Sequence, residues 1–306
     1  MQEAASDNPR LPLRPVLVWA TLVATISGLG LVPFYAFVPD LSKFTGNLPP
    51  AELALLGIGV ELAAVGPSLA AILVAWRMPG AGGARPLFRQ FKHWRVHPIW
   101  YLVALLLPVP ILLGADVIWM ALGKQSLVWL TVPSAVPFTI GAALVPPLGE
   151  EFGWRGFAQP RLQSRIGALW AAVIVGTLWS TWHLWPLVVP GGAKLFLPSE
   201  VAQTYIRLIS TAVIYAWIYN STGGSLIAVM VAHAAHNIDS SFILEPQSTR
   251  RTSVRFSAPC AMPPPRSSSC LPQIVGRLPA GRNGRLVLSK RLARCIIDSD
   301  VSIDDW

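Results

Sequence analysis

The chain has 306 residues, of which 53% are hydrophobic and only 13% charged, with a formal charge of +9. A soluble domain is about one quarter charged, so this composition excludes an ordinary soluble enzyme and points to a polytopic membrane protein. The mean hydropathy of +0.52 and the thirteen tryptophans agree, since tryptophan favours membrane–water interfaces.

In chain order, "MQEAASDNPRLPLRP" leads into an apolar run with no small-residue cleavage site. The first segment therefore reads as a retained signal-anchor helix. A spanning helix needs about 20 mostly apolar residues. Seven stretches qualify, at 15–38, 52–76, 98–122, 129–149, 166–186, 201–220 and 225–244. The expectation is an all-α transmembrane bundle of about seven spans. Pro67, Pro108, Pro110, Pro146 and Pro147 fall inside these runs, as kinks that neighbouring helices can satisfy.

Charge sets the orientation. The loop "RMPGAGGARPLFRQFKHWRVHP" holds Arg77, Arg85, Arg89, Lys92 and Arg95 and no acid. It is expected in the cytoplasm, which puts the N-terminus inside and the loop at 39–51 outside. Arg161 and Arg165 then also fall inside, and "LFRQFKHW" reads as a short amphipathic helix at the interface. From Glu245 the chain is rich in Arg, Ser and Pro and lacks helical period; it reads as a disordered basic tail. After seven spans such a tail belongs outside, against the charge rule. Two readings stand: a basic cytoplasmic tail with one span miscounted, or a tail foreign to the fold, as a frameshift would give. The divisions are N-terminal helices at 1–134, a core at 135–244 and the tail at 245–306. All three cysteines, Cys260, Cys270 and Cys295, lie in the tail and form neither a disulfide framework nor a metal motif.

Ionisable groups at membrane depth are costly, about 2.5–3.5 kcal/mol each on insertion scales, and they mark function. Those at or near membrane depth are Glu61, Asp116, Glu150, Glu151, Arg155, His183, Arg207, His233, His236 and Asp239. In "GEEFGWRGF", Glu151 and Arg155 stand at i and i+4 of a helix and can pair, while Glu150 points about 100° away. Helix capping at the interface is the alternative for both acids. His183 ends an apolar run among Trp179, Trp182 and Trp185, where an interfacial aromatic belt also accounts for it. In "MVAHAAHNID", His233 and Asn237 share a helix face, with helix–helix hydrogen bonding as the alternative. Taken together, one acid, two imidazoles and an amide form a hydrolytic set. A carboxylate and a histidine can deprotonate a water, and a histidine N–H with an amide can hold an oxyanion. Two histidines and a glutamate could equally ligate zinc with one open position.

These residues resemble the CPBP intramembrane protease family, which includes the type II CAAX prenyl endopeptidases and bacterial abortive-infection and bacteriocin-immunity membrane proteins. Its Glu-Glu-x-x-x-Arg motif is matched by Glu150, Glu151 and Arg155. Its Phe-x-x-x-His motif is matched by Trp179 and His183, with Trp in place of Phe. Its His-x-x-x-Asn motif is matched by His233 and Asn237. The similarity covers about 135–240. The resemblance implies that Glu150 is the catalytic base, that His183 helps activate the water, and that His233 and Asn237 form the oxyanion site. Glu151 and Arg155 would hold the first motif in place. Metal content stays open between none and a zinc held by Glu150, His183 and His233. His236 stands where the family is usually apolar, and the family commonly continues into a further apolar helix where this chain enters its basic tail.

Three functions compete. The first is an intramembrane endopeptidase for membrane-embedded or lipid-tethered substrates. The second is a non-catalytic immunity or scaffold protein of the same family. The third is a transporter with Glu61, Asp116 and Glu150 as a proton path, although no inverted repeat supports it. The partners expected are a membrane-bound protein or peptide substrate and the bilayer, with no nucleic acid. The location expected is a bacterial inner membrane.

Overall fold

A computed structural model of the chain describes residues 11–80, 83–121, 123 and 136–242. The tail from 245, with its cysteines, and the first part of the 129–149 span lie outside the described residues. The described residues form helices and turns only, as expected. The helices are α1 (Arg14–Phe37), α2 (Pro50–Trp76), α3 (Ala84–Phe91), α4 (Ile99–Leu106), α5 (Pro108–Ala121), α6 (Val136–Glu151), α7 (Gln159–Ile166), α8 (Ala168–His183), α9 (Pro198–Ser221) and α10 (Leu226–Phe242). Each of the seven expected spans thus has a helical counterpart. Among the described residues, four stretches are long and apolar enough to cross a membrane: Arg14–Phe37, Pro50–Trp76, Ile99–Ile118 and Pro198–Ser221. The 98–122 run is broken at Leu107, because Pro108 lacks the N–H that would continue α4 and restricts the residue before it.

Small residues let α1 and α2 meet at the backbone. A Cβ on Gly30 would lie 2.3 Å from the Gly59 carbonyl oxygen, and one on Gly59 would lie 2.2 Å from that of Gly30. Without a hydrophobic force between helices in lipid, this close approach is what packs them. Pro67 leaves the Ala63 carbonyl without its helical donor. Ser27 Oγ on α1 supplies one at 3.4 Å, and Trp182 Nε1 of α8 donates to that hydroxyl at 2.9 Å. Trp19 Nε1 reaches the Pro67 carbonyl at 2.9 Å. The break in the ladder at Pro67 is thus bridged by side chains from α1 and α8.

Between α6 and α7 the chain winds as a π-helical turn, Phe152–Ala158. An α-helix is the simplest expectation for this stretch, but packing widens it. A Cβ on Gly153 would lie 2.4 Å from the Pro67 carbonyl oxygen, so the turn sits directly on the α2 backbone. Trp154 and Phe157 fill the core beside Trp19, with the Trp19 and Trp154 rings edge-on at 5.1 Å.

The two ends differ in charge. At one end Leu11 N donates to Ser164 Oγ and Arg165 Nε to the Leu11 carbonyl, which joins the start of α1 to α7. Arg14, Arg77, α3 with its following loop, Arg161 and Arg165 gather there. At the other end Leu41 N donates to the Pro190 carbonyl at 2.8 Å, and Lys194 Nζ to Asp40 Oδ2 at 2.7 Å. Leu11 thus shares one end with Ser164 and Arg165, and Asp40 and Leu41 share the other with Pro190 and Lys194.

Candidate active site

The site is built where α6 ends, α8 ends and α10 passes its midpoint. Glu150 and Glu151 close α6, and the π turn carries Arg155 back beneath them. Glu151 and Arg155 have no exposed side-chain surface and pair at 3.0 Å, as the spacing predicts. The same Glu151 oxygen meets His233 Nδ1 at 2.7 Å, a partner the spacing does not show. Arg155 is further held between two rings, 4.6 Å from the Trp179 centroid and 4.9 Å from that of Tyr215. A buried ion needs partners of this kind, because its solvation has been lost.

Glu150 lies on a different side of the helix end. It is 3% exposed, and its Oε2 accepts from Trp179 Nε1 at 2.7 Å. This contact depends on the Trp that replaces the Phe of the family motif, because Phe has no donor. Trp179 is the hub of the site. Its ring contacts His183 at 5.3 Å, His233 at 5.5 Å and Tyr215 at 6.0 Å, and His183 also packs on Trp182 at 4.9 Å.

The histidine tautomers follow from their partners. His183 Nδ1 faces the Trp179 carbonyl at 3.0 Å; a carbonyl only accepts, so Nδ1 carries the proton. His233 Nδ1 faces the Glu151 carboxylate, which also only accepts when ionised. His183 when neutral therefore keeps an Nε2 lone pair, while the Nε2 of His233 accepts in its neutral form and donates when protonated.

Asn237 is half-buried, and its Nδ2 donates to the Ala143 carbonyl at 3.4 Å. Pro147, four residues on, leaves that carbonyl without its helical donor, so Asn237 joins α10 to α6. Of the remaining ionisable groups, Arg207 lies near enough to His183, His236 and Tyr215 to act on them electrostatically, and His236 likewise feels His233. Glu61 and Arg207 are exposed on α2 and α9, Asp116 is buried on α5, and His236 is half-buried on α10. The side chain of Asp239 lies outside the described residues.

For zinc, the donor types fit: one carboxylate and two Nε2 atoms, each imidazole having the outward N–H partner that metal-bound histidines use. The arrangement does not. Among the described residues no three His, Cys, Asp or Glu side chains are placed to hold a metal ion.

Sequence reasoning did not reveal the hydrogen bond from Trp179 to Glu150, nor the presence of Tyr215. The Trp-for-Phe departure was the signal for the first. Tyr215 had none, standing in an apolar run of α9 like any core aromatic.

This geometry belongs to a membrane-embedded helical bundle with a buried carboxylate–imidazole site. Residues 132–238 match the family described as "Type II CAAX prenyl endopeptidase Rce1-like", close to the 135–240 over which the three motifs run. Among curated proteins, CAAX prenyl protease 2 of Methanococcus maripaludis is 28% identical over 120 residues, covering 37% of this chain and 44% of that protein. The chain thus spans less than half the length of that relative. The matched residues include the helices that carry the site.

Proposed function

We propose that the chain is an intramembrane endopeptidase of the CAAX-processing type, acting on membrane-embedded or lipid-tethered protein substrates in a bacterial inner membrane. The observation that carries this is the buried Glu150 carboxylate, fixed by the Trp179 N–H beside two imidazoles whose Nδ1 atoms are already engaged. A carboxylate held this way acts as a base toward one bound water.

The reaction follows from these groups. Glu150 takes a proton from water while the His183 Nε2 lone pair orients that water. The water oxygen bonds to the scissile carbonyl carbon. The resulting oxyanion is held by the Asn237 amide and by His233, which in its protonated form offers Nε2–H while Glu151 balances the charge at Nδ1. The C–N bond breaks, and Glu150 returns the proton to the leaving amine. Arg155 holds Glu151 in place through their ion pair.

The test is single substitution in purified protein. Glu150→Ala and His183→Ala each abolish cleavage of every substrate the parent cleaves, with the folded state preserved in detergent. Persistence of cleavage in either variant removes the assigned mechanism. Chelation separates the two ways of activating water: an unchanged rate assigns it to the carboxylate, and a loss restored by zinc assigns Glu150, His183 and His233 to the metal. In the rival reading, a non-catalytic immunity or scaffold protein, Glu150→Gln accumulates normally and keeps the full phenotype.

A further inference from the structure

The basic segment after α2 is wired to the active site. Helix α3 buries Leu87, which would contact a Cβ on Gly156 at 3.1 Å. Phe88 and Phe91 stand 5.7 Å from Phe152, the first residue of the π turn. Gln90 Nε2 donates to the Gly156 carbonyl at 3.0 Å, and its Oε1 accepts from Tyr219 at the end of α9. His93 packs where a Cβ on Gly223 would come within 3.3 Å, over the turn that leads into α10. One short segment thus touches the elements that carry Glu151, Arg155 and His233.

Its outer surface is cationic and aromatic. Arg85, Arg89, Lys92 and Arg95 are exposed, as are Phe88, Phe91 and Trp94. Residues 77–98 contain no acid, and among the described residues Asp40, Glu52 and Glu200 belong to the opposite end. Unbalanced cations interleaved with rings that stay half out of the protein match an anionic bilayer surface, where rings sit at headgroup depth and phosphates meet the cations.

We infer that anionic phospholipid headgroups bind α3 and its following loop, and that this occupancy holds the π turn in its active arrangement through Gln90. Gln90 is a positioning residue, acting on Glu150 and Glu151 through the Gly156 carbonyl. The inference rests on the proposed protease reading for its effect on rate, but lipid binding can be measured without it.

The experiment uses the full chain reconstituted in phosphatidylcholine vesicles, with spin-labelled phosphatidylglycerol or phosphatidylcholine as probe. The parent selects phosphatidylglycerol several-fold. Arg85→Gln/Arg89→Gln/Lys92→Gln loses that preference, by up to about fivefold for each cation removed. Gln90→Leu keeps the preference. Amide exchange over residues 152–158 slows when phosphatidylglycerol is added to the parent and does not respond in Gln90→Leu. With a peptide substrate, phosphatidylglycerol raises the parent's rate and leaves that of Gln90→Leu unchanged. Equal association of the two lipids with the parent, or an unchanged preference in the triple variant, overturns the lipid site. Exchange in the parent that ignores the lipid overturns the coupling. If the triple variant keeps its lipid preference but loses cleavage only of peptides with acidic flanks, the surface serves protein substrates and the inference fails. Absence of any cleavage with lipid selection and exchange as described would leave the lipid site standing and remove the protease reading instead.

Discussion

Glu151 holds two partners on one oxygen, and they are not equal in consequence. Arg155 is wholly buried against it, so Glu151→Ala leaves an uncompensated guanidinium in the core and costs about 3–5 kcal/mol. Glu151→Leu/Arg155→Leu removes both charges and costs less than that single change, which chemical denaturation in detergent can measure. A double variant weaker than Glu151→Ala would mean the pair is not what the core depends on. Trp179→Phe keeps the ring but deletes the donor to Glu150. A hydrogen bond to a charged group is worth about 1.5–3 kcal/mol, so kcat falls roughly tenfold or more while KM changes little; an unchanged kcat shows that Glu150 needs no such anchor. At this scale the sequence made the Glu151–Arg155 pair legible, because four residues along a helix is a local distance. The bonds from Trp179 to Glu150 and from His233 to Glu151 span 29 and 82 residues. They depend on how three helices are rotated against one another, which no local spacing encodes.

Among elements, the π turn is the one that places the site. Gly153→Ala would drive a Cβ against the Pro67 carbonyl, with an overpacking cost of about 1–3 kcal/mol and loss of cleavage, read as a lowered unfolding midpoint and rate together. Retention of both would show that α2 yields. At the far end the loops are clasped by Asp40 and Lys194. Gly191, at φ 75°, brings its backbone so close that a Cβ there would overlap the Asp40 carboxylate, and glycine adopts such a φ freely. The Lys194 ammonium first, then Ser42, holds the Asp40 carboxyl down from 3.8 to about 2. Because the folded value is the lower one, the clasp stabilises above the ordinary carboxylate range and fades as pH falls toward the folded value. The melting difference between parent and Asp40→Asn is therefore present at neutral pH and shrinks in acid; a difference that persists unchanged into acid assigns the clasp to something other than charge. Helix positions were legible because long apolar runs are a strong signal. The length of α8 was not: it stops after 16 residues, about 24 Å, short of a hydrocarbon core of about 30 Å. His183 ends it.

Across the molecule, charge separates the ends. By the positive-inside rule the end with Arg14, Arg77, α3 and Arg165 is expected to face the cytoplasm. Cysteines introduced at Arg95 and at Lys194 should label from opposite sides of sealed inverted vesicles; labelling from one side would break the topology. The membrane class and the three motifs could be read from the sequence, since both are statements of composition and spacing. The wiring of α3 to the π turn could not, because it joins residues far apart in the chain. The central claim, that Glu150 activates water against a peptide bond, is tested most directly in heavy-oxygen water. The reconstituted parent should place the heavy oxygen in the new C-terminal carboxylate of a cleaved membrane peptide, and Glu150→Gln, folded and inserted, should give no product. Cleavage by Glu150→Gln at the parent's rate, or a product without the heavy oxygen, would contradict the account.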